Sequence, residues 1–219
     1  MKIDQAFQQR GWYDVNCRLC PRLADFLDEV KADHPDYFCR PVPPFGDLDA
    51  RLLVVGLAPG KHGANASGRP FTGDHAGLLL YRMLHQFGFA NRAESTGSGD
   101  GLILHDCRIS NAVKCLPPEN KPVAAEINQC RPYLKTEIDS LKPGAAILAL
   151  GSIAHGAVIK SLDVKKSDAP FGHARQWDVG NDLTIFSSYH CSRYNTQTKR
   201  LTEAMFEDVF RSVRKHLSN

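Results

Sequence analysis

The sequence has no apolar run near the roughly 20 residues that a membrane-spanning helix needs. Its start, MKIDQAFQQRGW, lacks the apolar core of a signal peptide. It also has little excess of one charge, since 27 Lys and Arg stand against 24 Asp and Glu, a net charge of +3. A basic binding surface would therefore have to be a local patch. These absences predict a cytoplasmic protein that has no membrane partner.

The sequence also lacks the even number of cysteines that complete disulfide pairing would need. The chain has seven, which fits reduced thiols or a metal site better than a fully paired extracellular framework. Cys17 and Cys20 form a Cys-x-x-Cys pair directly before Pro21, where a helix is predicted to begin, and 14 residues separate Cys115 from Cys130. Four thiolates in two groups suit a [4Fe-4S] cluster or a tetrahedral zinc ion, and the spacing does not decide between them. A third interpretation is that they are ordinary buried cysteines.

Apolar runs of strand type alternate with helical patterns along the 219 residues, of which 42% are hydrophobic. Strands are predicted at 52–56, 102–104, 108–113, 145–150 and 183–187, the longer helices at 77–87, 123–141 and 201–217, and a mobile polar loop at 90–101. This alternation favours a mainly parallel sheet with helices on both faces. We predict an α/β fold, a three-layer α/β/α sandwich, in one domain spanning residues 1–219.

Residues 52–74, LLVVGLAPGKHGANASGRPFTGD, join a buried strand to a long glycine-rich loop. Open α/β proteins bind their ligands outside the carboxyl ends of such strands, so we expect chemistry here. The loop lacks the Gly-Lys-Ser/Thr ending of a nucleotide-phosphate cradle. The loop is therefore not interpreted as a nucleotide-phosphate cradle.

Three loops follow predicted strands: GLAPGKHGANASGRPFTGD, NAVKCLPPENKP and SYHCSRYNTQTKRL. Together, in this order, they resemble the uracil-DNA glycosylase superfamily, in particular its iron–sulfur branches. Leu57 stands where family-four relatives carry an acidic residue, which favours family five, the type B enzymes. The resemblance extends from Cys17 to about Phe206 and implies the uracil-DNA glycosylase fold. It also implies a structural [4Fe-4S] cluster on Cys17, Cys20, Cys115 and Cys130, tying the N-terminal segment 1–47 to the core.

The resemblance implies a DNA repair enzyme of prokaryotic cytoplasm, associated with the nucleoid when it acts. Such an enzyme flips uracil out of double-stranded DNA and hydrolyses its N-glycosidic bond with water, leaving an abasic site. Family five also implies other deaminated bases, such as hypoxanthine or xanthine; single-stranded DNA is left open, and a monomer is expected. The alternative is a catalytically silent iron–sulfur module that binds damaged or distorted DNA.

The resemblance assigns catalysis to Asp74 and His190, with Asn120 as a third candidate. Cleavage develops positive charge on the sugar and negative charge on the departing base, so a carboxylate and a hydrogen-bond donor both lower the barrier. Asp74 would stabilise the sugar and orient water, His190 would donate to the base oxygen, and Asn120 would position water or a phosphate. Simpler interpretations are that Asp74 caps the next helix and that His190 is a solvated loop residue.

Base binding is assigned to Phe71 by stacking and to Asn111 by its amide, which offers a donor and an acceptor. Gly56 and Ala58 line the same predicted pocket. Core packing of Phe71 and strand-end capping by Asn111 are the alternatives.

DNA binding is assigned to the third loop, where cationic, hydroxyl and wedge-forming side chains cluster. The residues are Arg193, Tyr194, Asn195, Thr196, Lys199 and Arg200. An ordinary polar loop is the alternative. Related sequences usually have proline where this chain has Cys191, so we expect a looser loop after His190.

Overall fold

The computed structural model describes residues 3–218. Its strands are β1 (Phe45–Gly46), β2 (Leu52–Gly56), β3 (Cys107–Asn111), β4 (Ala146–Leu150), β5 (Arg175–Asp178) and β6 (Thr184–Ser188). Its α-helices are α1 (Ile3–Gln9), α2 (Pro21–Asp33), α3 (Ala64–Ser67), α4 (His75–Gln86), α5 (Ala124–Asp139), α6 (Ser152–Ser161), α7 (Arg193–Gln197) and α8 (Glu203–Leu217), with a 3₁₀ turn at Pro118–Asn120. No helix in this range combines the length and apolar character needed to cross a membrane.

The six strands of the described range form one sheet in the order β1-β3-β2-β4-β6-β5. The four central strands are parallel, and β1 and β5 add antiparallel edges. The chain leaves β2 toward β3 but leaves β4 toward β6, which creates a topological switch point between β2 and β4. Ligands of open α/β sheets bind beside such a point, at the carboxyl ends of the strands.

The two faces of the sheet bury two apolar clusters. Side chains alternate along β2, so Leu52 and Val54 pack with α4 and α8, whereas Leu53 and Val55 pack with α5 and α6. The two central strands β2 (LLVVG) and β4 (AILAL) carry no polar side chain, because both faces of the sheet are covered there. Helices on both sides of a mainly parallel sheet confirm the predicted three-layer α/β/α sandwich.

Several predicted boundaries were wrong for local reasons. Helix α4 begins at His75 rather than at residue 77, because the Asp74 side chain caps it. The predicted strand 102–104 is reduced to a single bridge between Ala90 and Leu104. Helix α7 lies inside the third loop, where no helix was predicted, and its N-terminus is capped by Ser192.

Candidate active site

The three predicted loops meet at the carboxyl edge of the sheet. Phe71 and Asp74 come from the loop after β2, Asn111 ends β3, and His190 follows β6. These four side chains line one cavity of about 290 Å³. Its other lining residues are Leu57, Ala58, Gly60, Ala64, His75, Ala76, Asn120, Ser192 and Arg193. The structure therefore brings all three proposed catalytic residues and the predicted base-binding side chains to one place.

Phe71, Asn111 and Gly56 are in close contact at the floor of this cavity. A Cβ built on Gly56 would lie 2.5 Å from Asn111 Oδ1 and 2.7 Å from the Phe71 ring, so any larger residue would displace one of them. Phe71 is 6% exposed and adopts a φ of 55°, a conformation that costs energy for a side chain of this size. The predicted alternative of core packing is thus also true of Phe71, which joins the apolar cluster under α4.

Asp74 has two functions in the structure. Its Oδ1 accepts a hydrogen bond of 2.9 Å from the Gly77 N–H and caps α4, as the simpler interpretation predicted. Its Oδ2 faces the glycine-rich loop, since a Cβ built on Gly63 would lie 2.8 Å from that oxygen. Burial raises the pKa of Asp74, although the N–H groups of Gly77 and Ala76 lower it in part. One carboxylate therefore anchors a helix and also lines the cavity.

His190 stacks against Phe71, with ring centroids 6.0 Å apart and an interplanar angle of 28°. The ring borders the 290 Å³ cavity on one side and a second cavity of about 260 Å³ on the other. Burial lowers the pKa of His190 to about 4, so its imidazole is neutral at neutral pH. His190 is half-buried and stacked on Phe71, so it is less solvated than the alternative of a loop histidine assumed.

Two polar residues of the first loop do not reach the cavity. The Nδ1 atom of His62 pairs with the Tyr37 hydroxyl at 2.8 Å, away from the lining residues. Asn65 is fully buried, and its Nδ2 donates to Cys39 Sγ at 3.4 Å. Neither side chain is therefore placed to position water in the cavity. Asn120, by contrast, is exposed at the rim of the cavity and has a φ of 57°.

Comparison with known proteins shows the family to which the chain is related. A sequence model of the Uracil DNA glycosylase superfamily matches residues 43–214. The chain belongs to the uracil-DNA glycosylase superfamily. The type-5 uracil-DNA glycosylase of Thermus thermophilus is 42% identical over 204 residues, covering 91% of this chain and 93% of the relative. That of Pyrobaculum aerophilum is 39% identical over 221 residues, covering 96% of each.

Relatives from family four are more distant. The type-4 uracil-DNA glycosylase of Saccharolobus solfataricus is 32% identical over 186 residues, covering 81% of this chain and 76% of the relative. The predicted resemblance to the superfamily, and to its type-5 branch in particular, is confirmed. The superfamily fold likewise agrees with the observed six-stranded α/β sandwich.

The predicted DNA-binding residues of this glycosylase-family chain fall into two groups. Arg193, Tyr194, Lys199 and Arg200 are exposed, Tyr194 to 70%. Asn195 and Thr196 turn inward. The Asn195 amide donates to the His190 carbonyl oxygen at 2.8 Å, and Thr196 Oγ1 pairs with His75 Nε2 at 3.0 Å. The inward contacts of these two were not predicted from the sequence, because their partners lie outside their own turn.

The second cavity contains residues that sequence reasoning did not single out. Gly151 and Ser152, at the start of α6, line it together with Tyr189 and Arg200. The Arg200 guanidinium stacks over the Tyr189 ring at 4.7 Å. The Gly-Ser pair directly after the buried strand β4 was a usable signal, because polar residues at strand ends face the ligand edge of such a sheet.

All four predicted cluster cysteines line a separate cavity between α2 and α5: Cys17, Cys20, Cys115 and Cys130. Within residues 3–218, no group of three or more His, Cys, Asp or Glu is arranged to hold a metal ion. Burial, and then the neighbouring thiols Cys130, Cys17 and Cys20, raise the pKa of Cys115. Cys130 Sγ also accepts the Lys114 N–H at 3.3 Å. The four thiols still line one cavity, and cysteine thiolates are the donors that iron–sulfur clusters use.

Proposed function

We propose that this chain is a monofunctional DNA glycosylase, which hydrolyses the bond between uracil and deoxyribose and leaves an abasic site. The observation that carries the proposal is the convergence of Phe71, Asn111, Asp74 and His190 on one cavity, in a member of a hydrolytic glycosylase family. A base inside a duplex cannot reach this cavity, so the enzyme must extrude it before reaction. Double-stranded DNA containing uracil is the proposed substrate.

Phe71 and Asn111 supply base recognition. The buried Phe71 ring stacks on the extruded base, while the Asn111 amide donates to a base carbonyl and accepts from the adjacent ring N–H. Gly56 leaves the space that this arrangement needs, because a Cβ there would clash with both side chains. A site built to pair with both groups discriminates against bases that lack one of them, since a buried amide would be left unpaired.

Asp74 and His190 supply the two charge-stabilising groups. The Asp74 carboxylate stabilises positive charge on the sugar and orients the attacking water through Oδ2, while Oδ1 stays bonded to Gly77. The neutral His190 imidazole donates a hydrogen bond to the departing base oxygen as negative charge develops there. Asn120, at the rim, is proposed to hold water or a phosphate. No side chain needs to form a covalent bond to the sugar, so strand cleavage is not part of the reaction.

Hypoxanthine and xanthine are proposed as further substrates. Each carries a carbonyl next to a ring N–H, the pair that the Asn111 amide can read. The first-loop residues that line the cavity beside Asn111 include Leu57 and Ala58, whose side chains carry no charge. Discrimination by shape alone is weak in such a pocket. The proposed base range is therefore broader than uracil.

We further propose that Cys17, Cys20, Cys115 and Cys130 hold a [4Fe-4S] cluster. The cluster would supply cross-linking of the N-terminal segment to the second loop and no step of the hydrolysis. Cys115 lies four residues after Asn111, so fixing Cys115 also fixes the path of the base-reading loop. We propose a single domain that acts as a monomer.

The test uses purified protein and three duplex oligonucleotides that contain uracil, hypoxanthine or xanthine. Alkali converts each abasic site into a strand break that a gel resolves. We expect breaks after alkali in all three substrates and intact strands without it. Asp74→Asn, assayed in parallel, should yield far fewer breaks while it still binds the DNA.

Two outcomes would contradict the proposal. Binding without abasic sites would favour the silent DNA-binding module. Strand breaks before alkali treatment would instead indicate a lyase. Release of uracil alone, with no release of hypoxanthine or xanthine, would contradict only the broader base range.

A further inference from the structure

Arg69 and Asp100 form a buried ion pair outside the proposed active site. The Arg69 Nη1 atom donates to both Asp100 carboxylate oxygens at 2.9 Å, and their side chains are 11% and 9% exposed. The guanidinium also lies 4.5 Å from the centroid of the Phe45 ring. The two residues are 31 positions apart, so the pair joins two separate loops.

Asp100 organises the loop that the sequence predicted to be mobile. Its carboxylate accepts the N–H groups of Thr96 and Leu102 at 2.9 Å each, and that of Gly97 at 3.3 Å. Burial raises its pKa, but the bonds from Leu102, Arg69 and Thr96 outweigh this and hold the pKa at about 2. Asp100 therefore stays ionised, and its charge ties the 90–101 loop to Arg69. The sequence predicted a mobile polar loop here and gave no sign of these bonds.

The same loop holds the residues on both sides of Phe71. Ser95 Oγ accepts from Arg69 Nη1 at 3.0 Å and pairs with Thr72 Oγ1 at 2.6 Å. Before Phe71 in the chain, the Pro70 carbonyl accepts a hydrogen bond of 2.7 Å from the hydroxyl of Tyr81, which belongs to α4. The residues before and after Phe71 are thus each held by a hydrogen bond that involves a side chain, whereas the Phe71 ring itself makes none.

These contacts explain how Phe71 keeps a φ of 55°. A non-glycine residue in this region persists only when the surrounding structure holds it there. A relaxed φ would turn the ring away from Gly56 and His190, which it now contacts. Arg69 and Asp100 do not line the cavity themselves.

We infer that Arg69 and Asp100 are positioning residues, whose ion pair fixes the 69–72 segment so that Phe71 presents its ring to the base. The inference deepens the proposed function and rests on it. It assigns a part in base recognition to the 90–101 loop, which contributes no group to the cavity.

The test is a double-mutant cycle between Asp100 and Phe71. Asp100→Asn keeps the side-chain shape but removes the charge that pairs with Arg69. We expect the single-turnover rate of uracil release to fall roughly 10- to 100-fold, with unchanged DNA affinity. In a Phe71→Ala background the same substitution should change the rate less than about twofold, because residues that act through one another are not additive. Glu203→Gln, which breaks an exposed pair with Arg82, is the matched control and should leave the rate unchanged.

A crystal structure of Asp100→Asn gives a readout independent of activity. We expect the Phe71 ring to move by about 1 Å or more from His190. An unmoved ring, or the same loss of rate in both backgrounds, would overturn the inference. If Asp100→Asn does not fold, Ser95→Ala enters the same cycle. If the parent protein releases no uracil, the proposed function fails, and the position of the ring still decides the inference.

Discussion

The Asn195 side-chain amide donates a hydrogen bond of 2.8 Å to the main-chain carbonyl of His190. It crosses the third loop beside Cys191, where the sequence resemblance had led us to expect proline. The Cys191 side chain is fully buried, so the loop is held by packing and by this bond together. The buried Cys191 and this hydrogen bond both oppose the loosening of the loop that we expected from the absence of proline. The hydrogen bond also anchors the main chain of His190.

Asn195→Asp should slow catalysis through His190. The carboxylate has the same shape but no N–H to donate, and it would repel the carbonyl oxygen that it faces. We expect the single-turnover rate to fall about tenfold, with a small change in DNA affinity. Tyr194→Ala, at the exposed neighbouring position, is the control for general damage to the loop and should change affinity instead. An Asn195→Asp protein with full rate would show that this bond does not position His190.

Asp74 offers a test that separates its two functions. Asparagine caps helices about as well as aspartate, whereas alanine does not. We expect Asp74→Asn to lose most activity and to unfold at the same or a higher temperature, because a buried charge is removed. Asp74→Ala should lose activity as well as about 1 kcal/mol of unfolding free energy. Thermal melts beside the cleavage assay check both, and an active Asp74→Asn would remove the carboxylate from the mechanism.

The rate should rise with pH on the acid side and then become level. Burial raises the pKa of Asp74 above its usual 3.8, and the proposed mechanism needs its ionised form, so rate is lost as pH falls through that raised pKa. The pKa of His190 is lowered to about 4, so it remains a neutral donor above that pH. Single-turnover rates across a pH series check this. A rate that fell as pH increased toward neutrality would indicate a protonated His190 instead.

The sequence was sufficient to predict those site residues that directly follow the ends of strands. Phe71, Asn111 and His190 each come from a loop directly after a buried apolar run, and parallel strands place such loops at one edge. Their convergence could therefore be predicted from the motifs and their order. The bounds of α4 could have been improved, because Asp74 is a strong N-cap residue.

Contacts between distant elements could not be predicted in the same way. Lys114 belongs to the second motif loop, yet it is 2% exposed and bonded to Ser110 and Glu137. Glu137 also pairs with the buried Arg108 at 2.9 Å. No local pattern shows that a lysine faces a carboxylate 23 residues away. The ion pair between Arg69 and Asp100 of the 90–101 loop is likewise a contact between residues far apart in the sequence.

Removal of one cluster cysteine should be more damaging than removal of a buried cysteine elsewhere. We expect Cys115→Ser to lose iron, sulfide and visible absorbance, and to fold poorly, because a ligand and a cross-link between segments are lost. Cys191→Ser is the control, since Cys191 is a buried thiol that lies outside the cysteine cavity. Its iron content should equal that of the parent. Stoichiometric zinc in the parent would overturn the cluster assignment alone.

The salt dependence of DNA binding should report which exposed cations touch phosphate. Arg193 at the cavity rim and Lys199 after α7 are both exposed, and each neutralised phosphate contributes about 0.9 to the slope of log affinity against log salt. We expect Arg193→Gln and Lys199→Gln each to reduce that slope by about 1, on uracil-containing and normal duplex alike. Lys135→Gln is the control, because Lys135 is exposed on α5 and paired with Asp139. An unchanged slope for Arg193→Gln and Lys199→Gln would place the phosphate contacts elsewhere. A loss of affinity confined to uracil-containing DNA would mean that these side chains contact the extruded nucleotide and not the backbone beside it.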